Sequence, residues 1–194
     1  MNMKKAAKVL ANYIIVKGMI GEEDREAYEY GFEITLEVGL FAMFCLFVSL
    51  YTHMFVEGII FFIIFVPLRS YAGGLHLKRY YSCFLLSCLT FIGVLLGAQN
   101  IQISMKSLFV ILPLMAIIIM HLYPVENINR KADEEEIEYF KKKLKLFLGV
   151  DILMAYICIV LQNAKCLSVI VITFFIIAVT MLIGKIKNRN MVEN

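Results

Sequence analysis

The sequence predicts an all-α integral membrane protein with six transmembrane helices and an N-terminal amphipathic helix. Three observations support this fold class. The 194-residue chain is 61% hydrophobic with a mean hydropathy of +0.78, well above the apolar share of soluble domains. Charged residues make up only 18% of the chain and cluster between apolar runs. Six of these runs approach the roughly 20 residues that cross the hydrocarbon core of a bilayer.

The six predicted spans differ in length, and the second is short. It contains only GIIFFIIFVPL between Glu57 and Arg69, and Gly73-Gly74 follow before apolar sequence resumes. A span that ends early leaves the next loop at or below the membrane surface, where irregular backbone must be buried in protein or line a wet cavity. We therefore expect residues 69–80 to form a cavity floor. The six predicted spans are 34–52, 55–68, 81–98, 108–124, 144–162 and 166–184.

The distribution of lysine and arginine predicts the orientation of the chain. All but two of the 19 lysine and arginine residues fall in the N-terminal segment, the 69–80 loop, the 125–143 loop with its flank, and the C-terminus. The exceptions, Lys106 and Lys165, fall in the alternate loops. The positive-inside rule then predicts a multi-pass protein of the cell membrane with both termini and the 69–80 loop on the cytoplasmic side.

We expect a single membrane domain over residues 1–194. It divides into a cytoplasmic or interfacial segment (1–33), a six-span core (34–184) and a cytoplasmic tail (185–194). Lysines recur through the first apolar run, which is not typical of a signal peptide. Two interpretations of this run stay open: an amphipathic helix on the membrane surface, or an ordinary packed helix. Its expected apolar face comprises Val9, Tyr13, Val16 and Ile20.

Cysteine usage and net charge exclude several classes of protein. The five cysteines form no CxxC pair and show no metal-ligand spacing with histidine, so we expect no disulfide framework, no metal site and no cofactor. The net charge of +3, without a basic stripe interleaved with aromatics, indicates no nucleic-acid partner. The cysteines are Cys45, Cys83, Cys88, Cys158 and Cys166.

The stretch RSYAGGLHLKRYYSC, residues 69–83, carries the candidate chemistry. A cysteine is a nucleophile when a base or positive charge favours its thiolate, and His76 could act as base for Cys83. In one unbroken helix their Cα atoms would be about 10.5 Å apart, too far for a hydrogen bond. A dyad therefore needs a bend, which Gly73 and Gly74 permit. From spacing alone, an interfacial histidine and a packing cysteine remain the commoner case.

Other ionisable residues within or beside the spans are further candidates. His121 near the end of the fourth span is a rival base or an interfacial histidine, and His53 falls on the outer side. Glu37 and Asp151 lie within predicted spans, where acids are costly and often functional, so either could orient His76. A lysine partner or a water-facing wall is the alternative for each.

The order Arg69-x-x-x-Gly73-Gly74-x-His76-x₆-Cys83 after a short span resembles the accessory gene regulator protein B (AgrB) family of bacterial membrane peptidases. Chain length, six spans, the N-terminal segment and the loop YPVENINRK after the fourth span also fit. The resemblance implies that Cys83 is the nucleophile and His76 the general base. It also implies that Arg69, Gly73 and Gly74 support the site. NINRK departs from the NKNKP-like form of the family loop.

The resemblance also implies a reaction and its partners. The substrate would be a quorum-sensing peptide precursor resembling AgrD, with an amphipathic N-terminal helix and an acidic tail. Its tail would be cleaved through a thioester on Cys83, and an internal Cys or Ser would close a thiolactone or lactone. The family implies a homodimer in the membrane lipid. From the residues we expect oxyanion donors near Gly73–Leu75. Two interpretations of Arg79 and the 141–145 lysines stay open: they attract the acidic tail, or they only set the membrane topology.

Two functions without catalysis remain as alternatives. A small transporter would show paired, Gly/Pro-broken spans in two related halves, and the sequence has one broken region. A membrane scaffold would use the 69–83 loop to bind a partner. Faster reaction of Cys83 than of the other cysteines with thiol reagents would favour the enzyme.

Overall fold

The computed structural model describes residues 3–74, 80–100, 104–125 and 133–192, and over these ranges the chain is helical with no strand. His76, Lys78 and Arg79 lie outside the described residues. Within these ranges, seven α-helices and one short 3₁₀ helix follow one another along the chain. They are α1 (Met3–Val16), the 3₁₀ helix (Glu22–Asp24), α2 (Arg25–Tyr51), α3 (Phe55–Ala72), α4 (Tyr80–Asn100), α5 (Met105–Leu122), α6 (Glu134–Val160) and α7 (Ala164–Val192).

The predicted all-α membrane fold is confirmed, with each predicted span falling on one of the helices α2 to α7. Four helical segments of the described chain are long and apolar enough to cross a membrane: Glu22–Tyr51, Phe55–Ala72, Tyr81–Asn100 and Ala164–Arg189. Val110–Leu122 is a shorter apolar helix. The count of six membrane crossings stays a prediction.

The chain divides into two compact units, Met1–Phe44 and Cys45–Asn194. In the first unit, α1 ends where Gly18 adopts a φ of +69°, and the Gly18 and Met19 amides bond back to Ile15 and Ile14. This is the Schellman arrangement that glycine favours after a helix. Ile20 therefore lies beyond α1 and does not extend its predicted apolar face.

The two interpretations of α1 each describe one of its faces. Met3, Ala7 and Ala11, at helical spacing, are buried. Val9, Tyr13 and Val16 are exposed on the remaining surface, with Val16 86% exposed. The buried face of α1 thus consists of one methionine and two alanines, whereas large apolar side chains elsewhere on the helix are exposed.

In the second unit, α7 is the central helix. It packs against α3, α4, α5 and α6, and most of its apolar segment is buried. Phe174, Ile170 and Ile177 are fully buried on α7, as are Phe61 on α3 and Phe91 on α4. Large apolar side chains on the outer faces remain exposed, as expected where lipid replaces water as the neighbour. Examples are Phe47, Leu85, Val110, Leu153 and Phe175.

Ring contacts fix the register of α3 against its neighbours. Phe61 of α3 and Phe91 of α4 pack with ring centroids 5.0 Å apart. Ala72 and Tyr80 each lie eleven residues, about 16 Å, along their helices from this contact. The eight residue steps from Ala72 to Tyr80 span at most about 29 Å, less than a parallel arrangement would require, so the two helices run antiparallel. Tyr71, in the last turn of α3, packs on Phe140 and Phe147 in the first half of α6 at 5.9 and 5.4 Å. The end of α3, the starts of α4 and α6, and the end of α5 therefore meet at one end of the bundle. We call this the Gly73 end.

α3 extends four residues beyond the predicted end of the second span at residue 68. α3 continues through Pro67 to Ala72, giving an 18-residue helix of about 27 Å. Proline lacks one helical hydrogen bond, and the packed surroundings of α3 sustain the helix across that gap: Leu68 and Ala72 are buried. The glycine break comes after the helix as predicted. The predicted cavity floor of residues 69–80 includes residues 75–79, which lie outside the described residues, and it stays a prediction.

Candidate active site

Gly73 and Gly74 end α3 in conformations that side chains disfavour. Their φ angles are +78° and +139°. Gly73 forms an isolated parallel β-bridge with Val125, just beyond α5, and a Cβ on Gly73 would collide with the Val125 carbonyl oxygen. A Cβ on Gly74 would collide with the Arg69 guanidinium. The two glycines are therefore required both by backbone conformation and by close neighbours.

Arg69 folds toward this break. Its Nη1 donates a hydrogen bond of 3.4 Å to the Gly73 carbonyl and lies beside Gly74. The hydroxyl of Thr180 on α7 is a further neighbour of Gly74, at 3.6 Å from the position a Cβ would take. Arg69 thus lies over the end of α3 and supplies positive charge there. A residue that supports the predicted site is expected at such a position.

Cys83 lies in the first turn of α4, three residues after the helix begins at Tyr80. It is half-buried, whereas Cys45, Cys88, Cys158 and Cys166 are buried. The unpaired N–H groups at a helix start carry partial positive charge, an environment typical of reactive cysteines. Its own carbonyl accepts a hydrogen bond of 3.1 Å from Ser87.

Register places Arg69 and Cys83 at the same depth. Phe61 and Phe91 are in contact across the antiparallel pair α3 and α4. Arg69 lies eight residues after Phe61, and Cys83 lies eight residues before Phe91. Each is therefore about 12 Å along its helix from the ring contact, in the same direction. The fold brings Arg69, the glycine pair and the start of the Cys83 helix to one level of the bundle.

Two residues at this end were missed by sequence reasoning. Val125 bridges Gly73, and the Tyr123 hydroxyl donates a 2.7 Å hydrogen bond to the Ile137 carbonyl in α6. The segment YPV offered one signal, a tyrosine and a proline directly after an apolar run. That pattern does not predict Gly73 as the partner of Val125, because the two segments are about fifty residues apart in sequence.

The two proposed orienting acids lie in different settings. Glu37 belongs to the first unit, where Glu33 and Lys4 act on it electrostatically. Asp151 is 1% exposed on α6, and its two carboxylate oxygens make no hydrogen bond to the described residues. It shares a helix face with Phe140 and Phe147, which contact α3. α6 packs against α3, α5 and α7, whereas α4, with Cys83, packs against α3 and α7.

The remaining histidines are placed at opposite ends of the bundle. His121 is exposed in the last turn of α5, at the Gly73 end and four residues before Val125, so it stays a rival base. His53 lies in the short turn between α2 and α3 with a φ of +57°. Among the described residues, no group of three His, Cys, Asp or Glu side chains is placed to hold a metal ion.

The lysine-rich part of α6 is already engaged in local contacts. Lys142 forms a 2.9 Å salt bridge with Glu138, and this hydrogen bond holds the pKa of the Glu138 carboxyl below its usual range. The Lys143 ammonium lies 5.4 Å from the centroid of the Tyr139 ring. These contacts use part of the positive charge that was expected to attract an acidic tail.

A comparison with protein families decides the family. The model of accessory gene regulator B matches residues 7–183, which is most of the chain. The protein belongs to the AgrB family. The match includes every candidate residue of the Gly73 end, and it is in accord with a role in autoinducing peptide processing at a membrane. No curated protein and no solved structure matches the chain significantly.

Proposed function

We propose that this AgrB-family protein is a membrane-embedded cysteine endopeptidase that removes the C-terminal tail of a quorum-sensing peptide precursor and cyclises the remainder. The observation that carries the proposal is the half-buried Cys83 in the first turn of α4, level with Arg69 and the glycine pair. His76, seven residues before Cys83, is the proposed general base.

The proposed reaction proceeds in two acyl transfers. The Cys83 thiolate attacks the carbonyl carbon of the scissile peptide bond, the C–N bond breaks, and His76 gives a proton to the departing amine. The N-terminal part of the precursor remains as a thioester on Cys83. An internal Cys or Ser of the precursor then loses its proton and attacks the thioester carbonyl. The ring closes as a thiolactone or lactone, and the Cys83 sulfur leaves. Arg69 and backbone N–H groups near Gly74 are suited to stabilise the oxyanion of each step.

The proposed substrate has an amphipathic N-terminal helix and an acidic tail. The exposed Val9, Tyr13 and Val16 face of α1 is apolar enough to lie against lipid or the apolar face of such a helix. Because Lys142 and Lys143 make contacts within α6, we place less weight on this stretch as the tail site. A cytoplasmic active site, cytoplasmic termini and a homodimer in the cell membrane complete the proposal.

Tail release from a co-expressed precursor tests the peptidase directly. The precursor would carry an epitope at its C-terminus, and the released tail would be measured by gel and mass spectrometry. We expect Cys83→Ala and His76→Ala to abolish release. Cys88→Ala, on the same helix but buried, is the matched cysteine control, and His121→Ala is the matched histidine control.

The outcomes separate the alternatives. Release that survives in Cys83→Ala overturns the nucleophile and favours a transporter or scaffold. Loss in His121→Ala but not in His76→Ala makes His121 the base. Thiol reactivity alone discriminates poorly, because the other four cysteines are buried and Cys83 would react faster for that reason. The informative quantity is the change in the Cys83 alkylation rate when His76 is replaced.

A further inference from the structure

The segment directly after α5, Leu122–Val125, lies across the Gly73 end and contacts three other helices or their ends. We call it the post-α5 segment. The Lys185 ammonium of α7 donates to the Leu122 carbonyl at 3.5 Å. The Tyr123 hydroxyl donates to the Ile137 carbonyl of α6 at 2.7 Å. Val125, 6% exposed, pairs through its backbone with Gly73 at the end of α3.

Tyr123 supplies the best anchor of this segment. The 2.7 Å bond from the Tyr123 hydroxyl is shorter than the 3.5 Å bond from Lys185 to the Leu122 carbonyl. Of the contacts just described, it is the one in which a side chain of the post-α5 segment takes part. It spans 14 residues of sequence and joins the end of α5 to the first turn of α6. The phenol is half-buried, so the hydroxyl bond is partly shielded from competing water.

The post-α5 segment in turn holds the glycine break. Gly73 and Gly74 have conformations outside the regular helix, and α3 cannot propagate its own hydrogen bonds through them. Gly73 pairs with Val125, and its carbonyl accepts a hydrogen bond from Arg69, whose guanidinium also lies beside Gly74. His76 comes two residues after Gly74, at most about 7 Å along the chain. A displacement of Gly73 therefore also displaces the carbonyl that accepts the Arg69 hydrogen bond.

We propose that Tyr123 is a positioning residue for the active site. It holds the post-α5 segment against α6 so that Val125 keeps Gly73 and Gly74, and the Arg69 guanidinium beside them, in place at the level of Cys83. This inference rests on the proposed function, in that the glycine break held through Tyr123 and Val125 lies at the level of the proposed nucleophile Cys83.

The test uses full-length protein in membranes and the variant Tyr123→Phe, which removes one hydroxyl and keeps the ring. The matched control is Tyr139→Phe, since Tyr139 is exposed on α6 and lies outside the post-α5 segment. Three quantities are measured: kcat and KM for tail release, the rate of Cys83 alkylation by iodoacetamide across pH, and the melting temperature in detergent. Cys45, Cys88, Cys158 and Cys166 are monitored in the same digest.

For Tyr123→Phe we expect kcat to fall about five- to tenfold with KM within twofold, as befits one lost hydrogen bond that aligns reacting groups. The pH profile of Cys83 alkylation should change in the same variant, while Tyr139→Phe matches the wild type in all three measurements. Tyr123→His, which keeps a side-chain donor on a ring, should recover part of kcat.

Two results would overturn the inference. One is a Tyr123→Phe enzyme with wild-type kcat and an unchanged alkylation profile. The other is a fall in activity that merely tracks a lower melting temperature, with no change in alkylation profile, which would make Tyr123 structural. If the wild type releases no tail, the proposed function has failed instead, and the alkylation profile still reports whether Tyr123 acts on the Cys83 environment.

Discussion

Among the helix connections that the structure describes, two are closed by local contacts and the break after α3 is not. This contrast distinguishes the end of the bundle where we propose the active site from the opposite end. The α2–α3 and α6–α7 turns are closed by their own residues: Met54 N–H bonds to Ser49, Asn163 N–H bonds to Cys158, and the Asn163 side chain caps α7 at Cys166. The break after α3 is held instead by Val125, which is distant in the sequence, together with Arg69 of α3.

The residue types at these connections show the same division. The two local turns place His53 and Gln162 in the left-handed region, with φ of +57° and +54°, where a side chain is tolerated at a modest cost. At Gly73 and Gly74 a side chain would also collide with the Val125 carbonyl and the Arg69 guanidinium. A turn whose backbone hydrogen bonds are made by its own residues tolerates substitution. A substitution at a connection that depends on distant contacts is expected to affect the segment that follows it. After Gly73 and Gly74, that segment of the sequence contains His76 and Cys83.

Replacing Gly73 should have the largest effect. Gly73→Ala puts a methyl group against a backbone carbonyl at a positive φ, and we expect it to abolish tail release and to cost about 2–3 kcal/mol of stability. Gly93→Ala is the matched control, because Gly93 lies on α4 with open space around it. It should keep activity and gain up to about 1 kcal/mol. Melting temperature and tail release are measured for both variants. Equal losses in Gly73→Ala and Gly93→Ala would contradict this expectation.

Gly74→Ala should be milder. The atom it meets is the end of the flexible Arg69 side chain rather than backbone, so the guanidinium can move at lower cost. We expect at least a tenfold fall in kcat from the displaced Arg69 together with a smaller loss of melting temperature than in Gly73→Ala. A Gly74→Ala protein that is less stable than Gly73→Ala would contradict this ranking.

The Asp151 carboxyl offers a different test, since it is buried with both oxygens unpaired among the described residues. Replacement by an apolar residue of similar shape removes this desolvation cost, so Asp151→Leu should stabilise the protein by about 2 kcal/mol. We expect tail release within threefold of the wild type, measured beside the melting temperature. Loss of activity in a folded, more stable Asp151→Leu protein would instead support Asp151 as the acid that orients His76.

The smallest effect is expected at the local turns. Gln162→Gly and His53→Gly relieve a left-handed side chain, so each should raise stability by about 1 kcal/mol or leave it unchanged. Tail release should equal that of the wild type. A marked loss of release in His53→Gly would show that the far end of the bundle takes part in the reaction.

The helices and the break after α3 could be predicted from the sequence, but the contacts that hold this break could not. Hydropathy located the helices α2 to α7 because membrane spans need long apolar runs, and Gly73-Gly74 predicted the break. α3 extends past the predicted span end at residue 68 because packing of Leu68 and Ala72 carries the helix beyond Pro67, a residue that locally favours a helix end. Tyr123 and Val125 escaped prediction because their contacts join segments distant in sequence, and no periodic pattern records such pairs.

The most direct test of the account is to trap the acyl-enzyme. A precursor whose internal Cys or Ser is replaced by Ala cannot cyclise, so the thioester should accumulate on the enzyme. The account predicts a mass increase on the Cys83 peptide equal to the N-terminal part of the precursor, removed by hydroxylamine and absent in Cys83→Ala. Tail release with no adduct on Cys83, or an adduct on another cysteine, would contradict it.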